Sequence, residues 1–414
     1  MHIAVIGAGV AGATTADALQ RAGHRVTVFE RAASAGQGAS QANGAQLSYS
    51  YCDAMASPAL LLRLPSALLG RDRAMRARLR LNGDFLRWGL AFAASSRHFQ
   101  RHTDALHALA RASAEIMAGY HERFGSAYRY RRAGKLVLLP ALPGRDEQAR
   151  LARKQRSGIF IDVLDVPGTI DREPALAQWQ GAFAAALYAP GDEVGDAQAF
   201  ASTLLTQLEA QGVELRWQQA VERVTATAGD QLEIAGPGFA ERFDRAVLCT
   251  AQVPRSLGPR LRKPFPVYPV TGYSLTLPAT DQSTRVSVTD LSAKLVFSRL
   301  GEDVRIAGYA DINLPPNRQR RRCDALLQHA RRLGPSLARW EDEPQRWIGH
   351  RPMTPSSLPH IGATATPGLF INLGHGMLGW TLAAGSAARV CALVNDSRPT
   401  TVAGSFAAEA PQHG

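Results

Sequence analysis

The chain has 414 residues, 45% of them hydrophobic and 20% charged, with a formal net charge of +12 at pH 7. That length exceeds what one hydrophobic core usually supports, so two domains are expected, and the composition excludes a disordered or fibrous chain. No run of about 18 uncharged apolar residues is present, so no spanning helix is predicted.

The first thirty residues organise the rest. His2 to Ile6 is a short apolar run of the length of a buried parallel strand. It breaks into Gly7-Ala8-Gly9-Val10-Ala11-Gly12 and then into the alanine-rich, helix-compatible residues 13–21. A turn at Gly23-His24 leads into a second strand, Arg25 to Phe29, which Glu30 ends. Strand, glycine loop, helix, strand and acid make a dinucleotide-binding βαβ unit. Gly7 permits the tight turn, Gly9 lets amides approach a pyrophosphate, and Gly12 lets helix and strand pack closely. Glu30, 18 residues beyond Gly12, can accept hydrogen bonds from ribose hydroxyls and repels a 2′-phosphate. The motif by itself does not separate FAD from NAD.

A small, polar, glycine-rich stretch follows at 33–50, with Ser40, Asn43, Gly44, Gln46 and Ser48. It is longer than the usual connection of about two to six residues, which points to a ligand-facing loop. Tyr49 and Tyr51 close it and are candidate pocket residues. Residues 58–125 carry helical periodicity (Leu81, Phe85, Trp88, Leu90 and Phe92, then Leu106, Leu109, Ile116 and Tyr120), and 128–139 read as strand, turn, strand. A helix is predicted over 197–208, and short strands over 213–217, 221–225, 231–234 and 243–250. Between 264 and 312 the texture becomes antiparallel β, with strands at 267–277, 284–289, 294–299 and 304–309 and one face free to cover a ligand. Residues 317–345 return to helix. After His350-Arg351-Pro352-Met353-Thr354-Pro355, the strand Leu369 to Leu373 runs into Gly374-His375-Gly376-Met377-Leu378-Gly379-Trp380 and an alanine-rich helix. That second helix N-terminus can face an anionic group. Residues 397–414 read as a loose tail.

Only four of the 47 basic residues are Lys, leaving 43 Arg, an excess that reflects coding bias more than a phosphate-tracking surface. Nucleic acid is not an expected partner. A basic face resting on an anionic membrane fits the charge better. Cys52, Cys249, Cys323 and Cys391 are scattered with no CxxC, so free thiols and no metal site are expected. Because the strand begins at residue 2 without a signal-peptide pattern, a cytoplasmic protein is expected, with docking on the inner face of the cytoplasmic membrane as the membrane alternative.

Taken in order, GAGVAG with Glu30, Gly191-Asp192-Glu193-Val194-Gly195-Asp196, Tyr268-Pro269-Val270 with Gly272-Tyr273-Ser274-Leu275, RPMTP and GHGMLGW resemble the D-amino acid oxidase superfamily. Within it the chain looks most like the bacterial FAD-dependent D-amino acid dehydrogenases. The resemblance implies an α/β (α+β) fold: a Rossmann-like FAD-binding domain interleaved with a substrate domain on an antiparallel or mixed sheet. The FAD domain would take 1–85, 146–255 and 336–396, and the substrate domain 86–145 and 256–335.

It further implies non-covalent FAD held by Gly7, Gly9, Val10, Ala11, Gly12, Glu30 and Arg31. Ser40, Asn43, Gly44, Gln46 and Leu47 would form the polar loop, Val224 would meet adenine, and Gly374, Gly376, Met377, Leu378 and Gly379 would face the flavin. For substrate it implies an arginine clamp on a carboxylate by Arg299 and Arg351, with Tyr273 and His375 as further candidates. The reaction implied is α-carbon dehydrogenation with electrons passed to a quinone or another non-oxygen acceptor. No separate acid–base residue is required, because positioning supplies the catalysis. The stretch Leu47-Ser48-Tyr49-Ser50-Tyr51-Cys52 departs from the usual continuation, which leaves room for a cyclic substrate such as D-proline or D-hydroxyproline. An oxygen-using amino acid oxidase and a flavin subunit that needs a partner are the alternatives.

Overall fold

The computed structural model describes residues 1–80, 82–179, 181–227 and 230–396, with backbone alone at 63 and 64. The expected tail, 397–414, lies outside the described residues.

The first domain is built on a six-stranded sheet in the order 360–363, 369–373, 245–248, 2–6, 25–29, 214–216. His2–Ile6 is paired in parallel on both sides, and the edge strand His360–Ala363 is antiparallel. Both faces are buried, which is why these strands read as near-continuous apolar runs. Ile3, Val5, Val26, Val28 and Val247 point to helices Val10–Arg21, Ala197–Ala210 and Gly379–Asn395. Ala4, Ile6, Phe29 and Leu248 point the other way, onto the three-stranded sheet of Arg223–Ala226, Leu232–Gly236 and Phe239–Phe243. Gly376–Asn395 is long and apolar enough to cross a membrane, yet helix Gly379–Asn395 within it is a core helix, packed against both Val10–Arg21 and Phe99–Phe124.

An eight-stranded mixed sheet forms the second domain, in the order 345–353, 268–278, 303–311, 295–300, 287–290, 135–139, 185–189, 162–164. Strand alternation gives it two different faces. Leu136, Leu138, Tyr273, Leu275, Phe297, Val304 and Ile306 lie on one, against Trp179 and helix Pro316–Leu333. The other carries Ser274, Ser287, Ser298 and Arg305 and meets the first domain.

The fold class follows the sequence expectation, while several boundaries differ. Asp162–Leu164, Ala185–Ala189 and Gln345–Met353 pair into the eight-stranded sheet, although 146–255 and 336–396 were assigned to the cofactor domain. Helix Phe99–Phe124, expected in the substrate domain, buries Met117 and Tyr120 in the first core. Long-range pairing decides these memberships, and local periodicity carries no sign of it. At 128–139 a 3₁₀ turn (Gly125–Tyr128) and the single strand Lys135–Leu139 replace the expected hairpin, because Arg129 takes φ 56° and turns the chain.

One buried ion pair ties helix Pro316–Leu333 to the sheet. Asp311, with no exposed surface, accepts from Arg322 Nε at 2.8 Å and Nη2 at 3.0 Å, and from the Tyr273 hydroxyl at 2.8 Å. Arg322→Met leaves that carboxylate without its cation. The expected loss is about 3–5 kcal/mol, read as a lower urea midpoint at unchanged m value. An unmoved midpoint would show the pair to be dispensable.

Candidate functional site

The glycine turn is fixed by backbone contact. Gly7 takes φ +110° and donates to the Phe29 carbonyl at 2.8 Å. A Cβ on Gly12 would lie 1.8 Å from the Gly7 oxygen, so only glycine lets the helix start this close to the strand. Helix Val10–Arg21 begins after Gly9 with no side-chain cap from that residue and no acid in its first turn. Its leading amides therefore make a favourable seat for phosphate. Beside the turn, Glu30 accepts from the Ala8 amide at 2.8 Å and the Ala32 amide at 2.9 Å, while Arg31 is exposed. Val224 lies on the three-stranded sheet and packs on the lower core cluster.

The polar loop crosses the inner face of the eight-stranded sheet, meeting one strand after another. Ser274 Oγ donates to the Ala42 carbonyl at 2.5 Å, and Ser298 Oγ to the Gly44 carbonyl at 3.1 Å. Gln46 donates to Ser287 Oγ at 2.6 Å, and Lys135 Nζ to Ser48 Oγ at 2.7 Å. Its near end touches the glycine turn, where the Val10 amide donates to Ser40 Oγ at 3.2 Å. Leu47 is fully buried, and Asn43 caps the loop internally by accepting from the Ala45 amide at 3.0 Å. Burial pushes the Lys135 ammonium pKa down, and the buried Asp192 carboxylate opposes that shift.

The C-terminal turn closes the site. Gly374 (φ +78°) and Gly376 (φ +60°) press on Thr354 and Met353, where a Cβ would sit 2.7 Å and 2.9 Å from the nearest atoms. Met353 and His375 also form a β-bridge. Helix Gly379–Asn395 starts after Leu378 with neither a side-chain cap nor an acid in its first turn, and Met377 is exposed beside it. Ser48 N donates to Thr381 Oγ1 at 3.0 Å, so glycine turn, polar loop and C-terminal turn form one connected rim.

The candidate substrate residues do not converge. Arg351 sits on the inner face: its guanidinium crosses over Gly272, where a Cβ would come within 2.6 Å of it, and Nη1 donates to the Tyr309 carbonyl at 2.7 Å. Tyr309 is at φ +60°, on the strand beyond a register shift opposite Thr271 and Tyr273. Arg351 has no ion-pair partner among the described residues, and burial lowers its pKa.

Arg299 follows Ser298 and so projects from the opposite face, where it donates to the Gly301 and Thr280 carbonyls. Strand alternation removes it from the Arg351 pocket. Tyr273 points the same way as Arg299 and gives its hydroxyl to Asp311. His375 is turned inward: Nε2 lies 2.9 Å from Ser386 Oγ, and burial pulls its pKa down to about 4. Tyr51 packs on Val137, Leu139 and Leu187 beneath Lys154. Five strand spacings, roughly 24 Å, separate those residues from the Arg351 strand. Tyr49 is wedged between core clusters, and burial with the neighbouring Glu193 carboxylate raises its pKa. Sequence reasoning missed Gly272, Tyr309 and Lys135. A glycine inside a strand pattern was a readable signal of close approach at Gly272; Tyr309 and Lys135 gave none.

Fold and rim together define a flavoprotein-type oxidoreductase of two interleaved domains. The sequence profile of the FAD dependent oxidoreductase family matches residues 2–393, and the chain belongs to that family. It is 38% identical to a D-amino acid dehydrogenase of Dechloromonas aromatica, over 96% of this chain and 98% of that one. It is 36% identical to D-amino acid dehydrogenase 2 of Ralstonia nicotianae, over 98% and 99%. Among solved structures, glycine oxidase from Bacillus cereus superposes with TM-score 0.67 at 18% identity, over 95% and 94% of the chains. L-Proline dehydrogenase from P. horikoshii superposes with TM-score 0.68 at 16% identity, over 96% and 94%; both share the fold.

FAD is the cofactor, and the helix N-terminus after Gly9, with Ser40 and Glu30 beside it, fits its diphosphate and ribose. Gly12→Ala drives a methyl into the Gly7 carbonyl, so the purified variant is expected to be colourless or to release flavin on gel filtration. Full retention of the yellow cofactor would refute the contact's importance.

Proposed function

We propose that the chain is a D-amino acid dehydrogenase. The observation that carries this reading is Arg351, a partly buried guanidinium with a carbonyl on one side and no carboxylate. Its remaining donors suit the planar fork of an amino acid carboxylate. The names of the relatives at 38% and 36% identity support the substrate class. Gly272 leaves room for the guanidinium to lie flat, and the Tyr309 carbonyl sets its angle. His375 stays neutral and hydrogen-bonded, so it serves packing and not proton transfer. FAD supplies the hydride acceptor for the substrate α-carbon. The imino acid that results hydrolyses to a 2-oxo acid and ammonia, or remains a pyrroline when the substrate is cyclic. Electrons pass to a quinone or another acceptor that is not oxygen, with the enzyme on the cytoplasmic side of the membrane. The positions of Tyr49 and Tyr51 withdraw the pocket argument for a cyclic substrate, so D-proline and D-hydroxyproline stand as members of the substrate panel. The cofactor-binding roles of the glycine turn, the polar loop and the C-terminal turn belong to the same proposal.

Anaerobic bleaching of the flavin spectrum by a panel of D- and L-amino acids tests it. Only D-substrates should bleach, without peroxide formation in aerated turnover. Arg351→Ala should lower kcat/KM roughly a hundredfold, mainly through KM, because a desolvated charge pair is broken. Arg299→Ala should stay within about twofold. Peroxide release in turnover would point to an oxidase, bleaching by L-substrates would overturn the D-specificity, and no bleaching by any substrate would point to a flavin subunit that needs a partner.

A further inference from the structure

The segment between Pro58 and His98 leaves an apolar surface uncovered. Leu62, Leu68, Leu69, Leu79, Leu86 and Leu90 are between 42% and 83% exposed. In helix Gly83–Ser95, Phe85, Trp88 and Phe92 form the inner stripe, while Leu86, Leu90 and Ala93 form an outer one. A helix apolar on both sides is normally buried on both sides. Here nothing in the described chain covers the outer stripe. Helix Pro58–Leu68 shares the same inner cluster through Leu60 and Leu61 and leaves Leu62 83% exposed.

The charge around this surface is one-sided. Arg71, Arg73, Arg76, Arg78, Arg80 and Arg87 are all exposed, and none is in an ion pair among the described residues. The two acids of the segment are already engaged. Asp72 accepts from the Ala74 and Met75 amides, and Asp84 pairs with Arg262. Leucines ringed by unpaired arginines match the interface of an anionic bilayer, with apolar groups in the acyl boundary and guanidinium groups among headgroup phosphates.

We propose that Pro58–Leu68, Gly83–Ser95 and the arginine-rich turn between them form a docking surface for an anionic phospholipid membrane. The inner side of this surface abuts the site: Trp88 Nε1 donates to the Met353 carbonyl at 2.7 Å, two residues from Arg351. Docking therefore lays the substrate-site wall along the bilayer. The surface argument stands apart from the dehydrogenase reading, since it uses no site residue.

Co-sedimentation of the full-length holoprotein with vesicles tests it directly. Vesicles of phosphatidylcholine with about 30% phosphatidylglycerol should pellet the protein, neutral phosphatidylcholine vesicles should not, and about 0.5 M NaCl should weaken binding. The double variant Leu86→Gln/Leu90→Gln should lower partitioning at least about tenfold while turnover with a soluble dye acceptor is unchanged. Arg78→Ser/Arg80→Ser should weaken binding to anionic vesicles and flatten its salt dependence. Wild-type protein that stays in the supernatant, or a leucine variant that binds as well as wild type, overturns the proposal. So does sedimentation velocity showing a dimer that the leucine variant dissociates, because the surface would then be covered by a second copy.

Discussion

The arrangement depends on satisfying the backbone of one buried loop. Residues 40–52 are trapped between two domains, where an unpaired carbonyl or hydroxyl costs about 1–3 kcal/mol. Ser274, on the far side of strand 303–311, and then Ser298, Ser287 and Lys135 on three adjacent strands meet successive parts of the loop. This ladder fixes how the two domains face each other, and hence where the glycine turn lies relative to Arg351.

Three arginines on or against the large sheet show how the same residue type takes different work. Arg322 is closed on Asp311, and Arg305 on Asp196 at 3.2 Å, so both are neutralised within the fold. Arg351 meets only a carbonyl, and the φ of +60° at Tyr309 that aims this carbonyl is itself strained, at about 1–3 kcal/mol for a residue that is not glycine. The fold leaves one cation short of an anion and uses backbone strain to hold it there.

The βαβ unit was legible because its chemistry is local: Gly7, Gly9, Gly12 and Glu30 fall within thirty residues, and each has a steric or hydrogen-bonding reason that needs no distant partner. The C-terminal turn was legible for the same reason. Arg299 failed on parity. One residue along a strand reverses the face, and the pattern of 294–299, with Val296 beside Phe297, does not show which face is inner. Tyr51 failed because its partners, Lys135 and Lys154, come from a strand and a helix more than eighty residues downstream. Interleaving hid the domain boundaries too, since Gln345–Met353 owes its place to pairing with Tyr268–Pro278 and not to its neighbours in sequence.

The arginine excess also separates into distinct populations once burial is known. Arg322, Arg305 and Arg351 are bound into the sheet, whereas the run from Arg71 to Arg80 alternates with residues packed inward, Ala74 among them, and presents its charges outward. Coding bias explains the choice of Arg over Lys across the chain, but it does not explain exposed leucines among them. Arg with an apolar neighbour is suited to an interface, because a weakly hydrated guanidinium tolerates partial desolvation better than an ammonium. The helix that carries Leu86 and Leu90 outward carries Trp88 inward to the Met353 carbonyl. The stripe that closes on the Met353 strand and the exposed apolar surface are therefore the two sides of one thirteen-residue element.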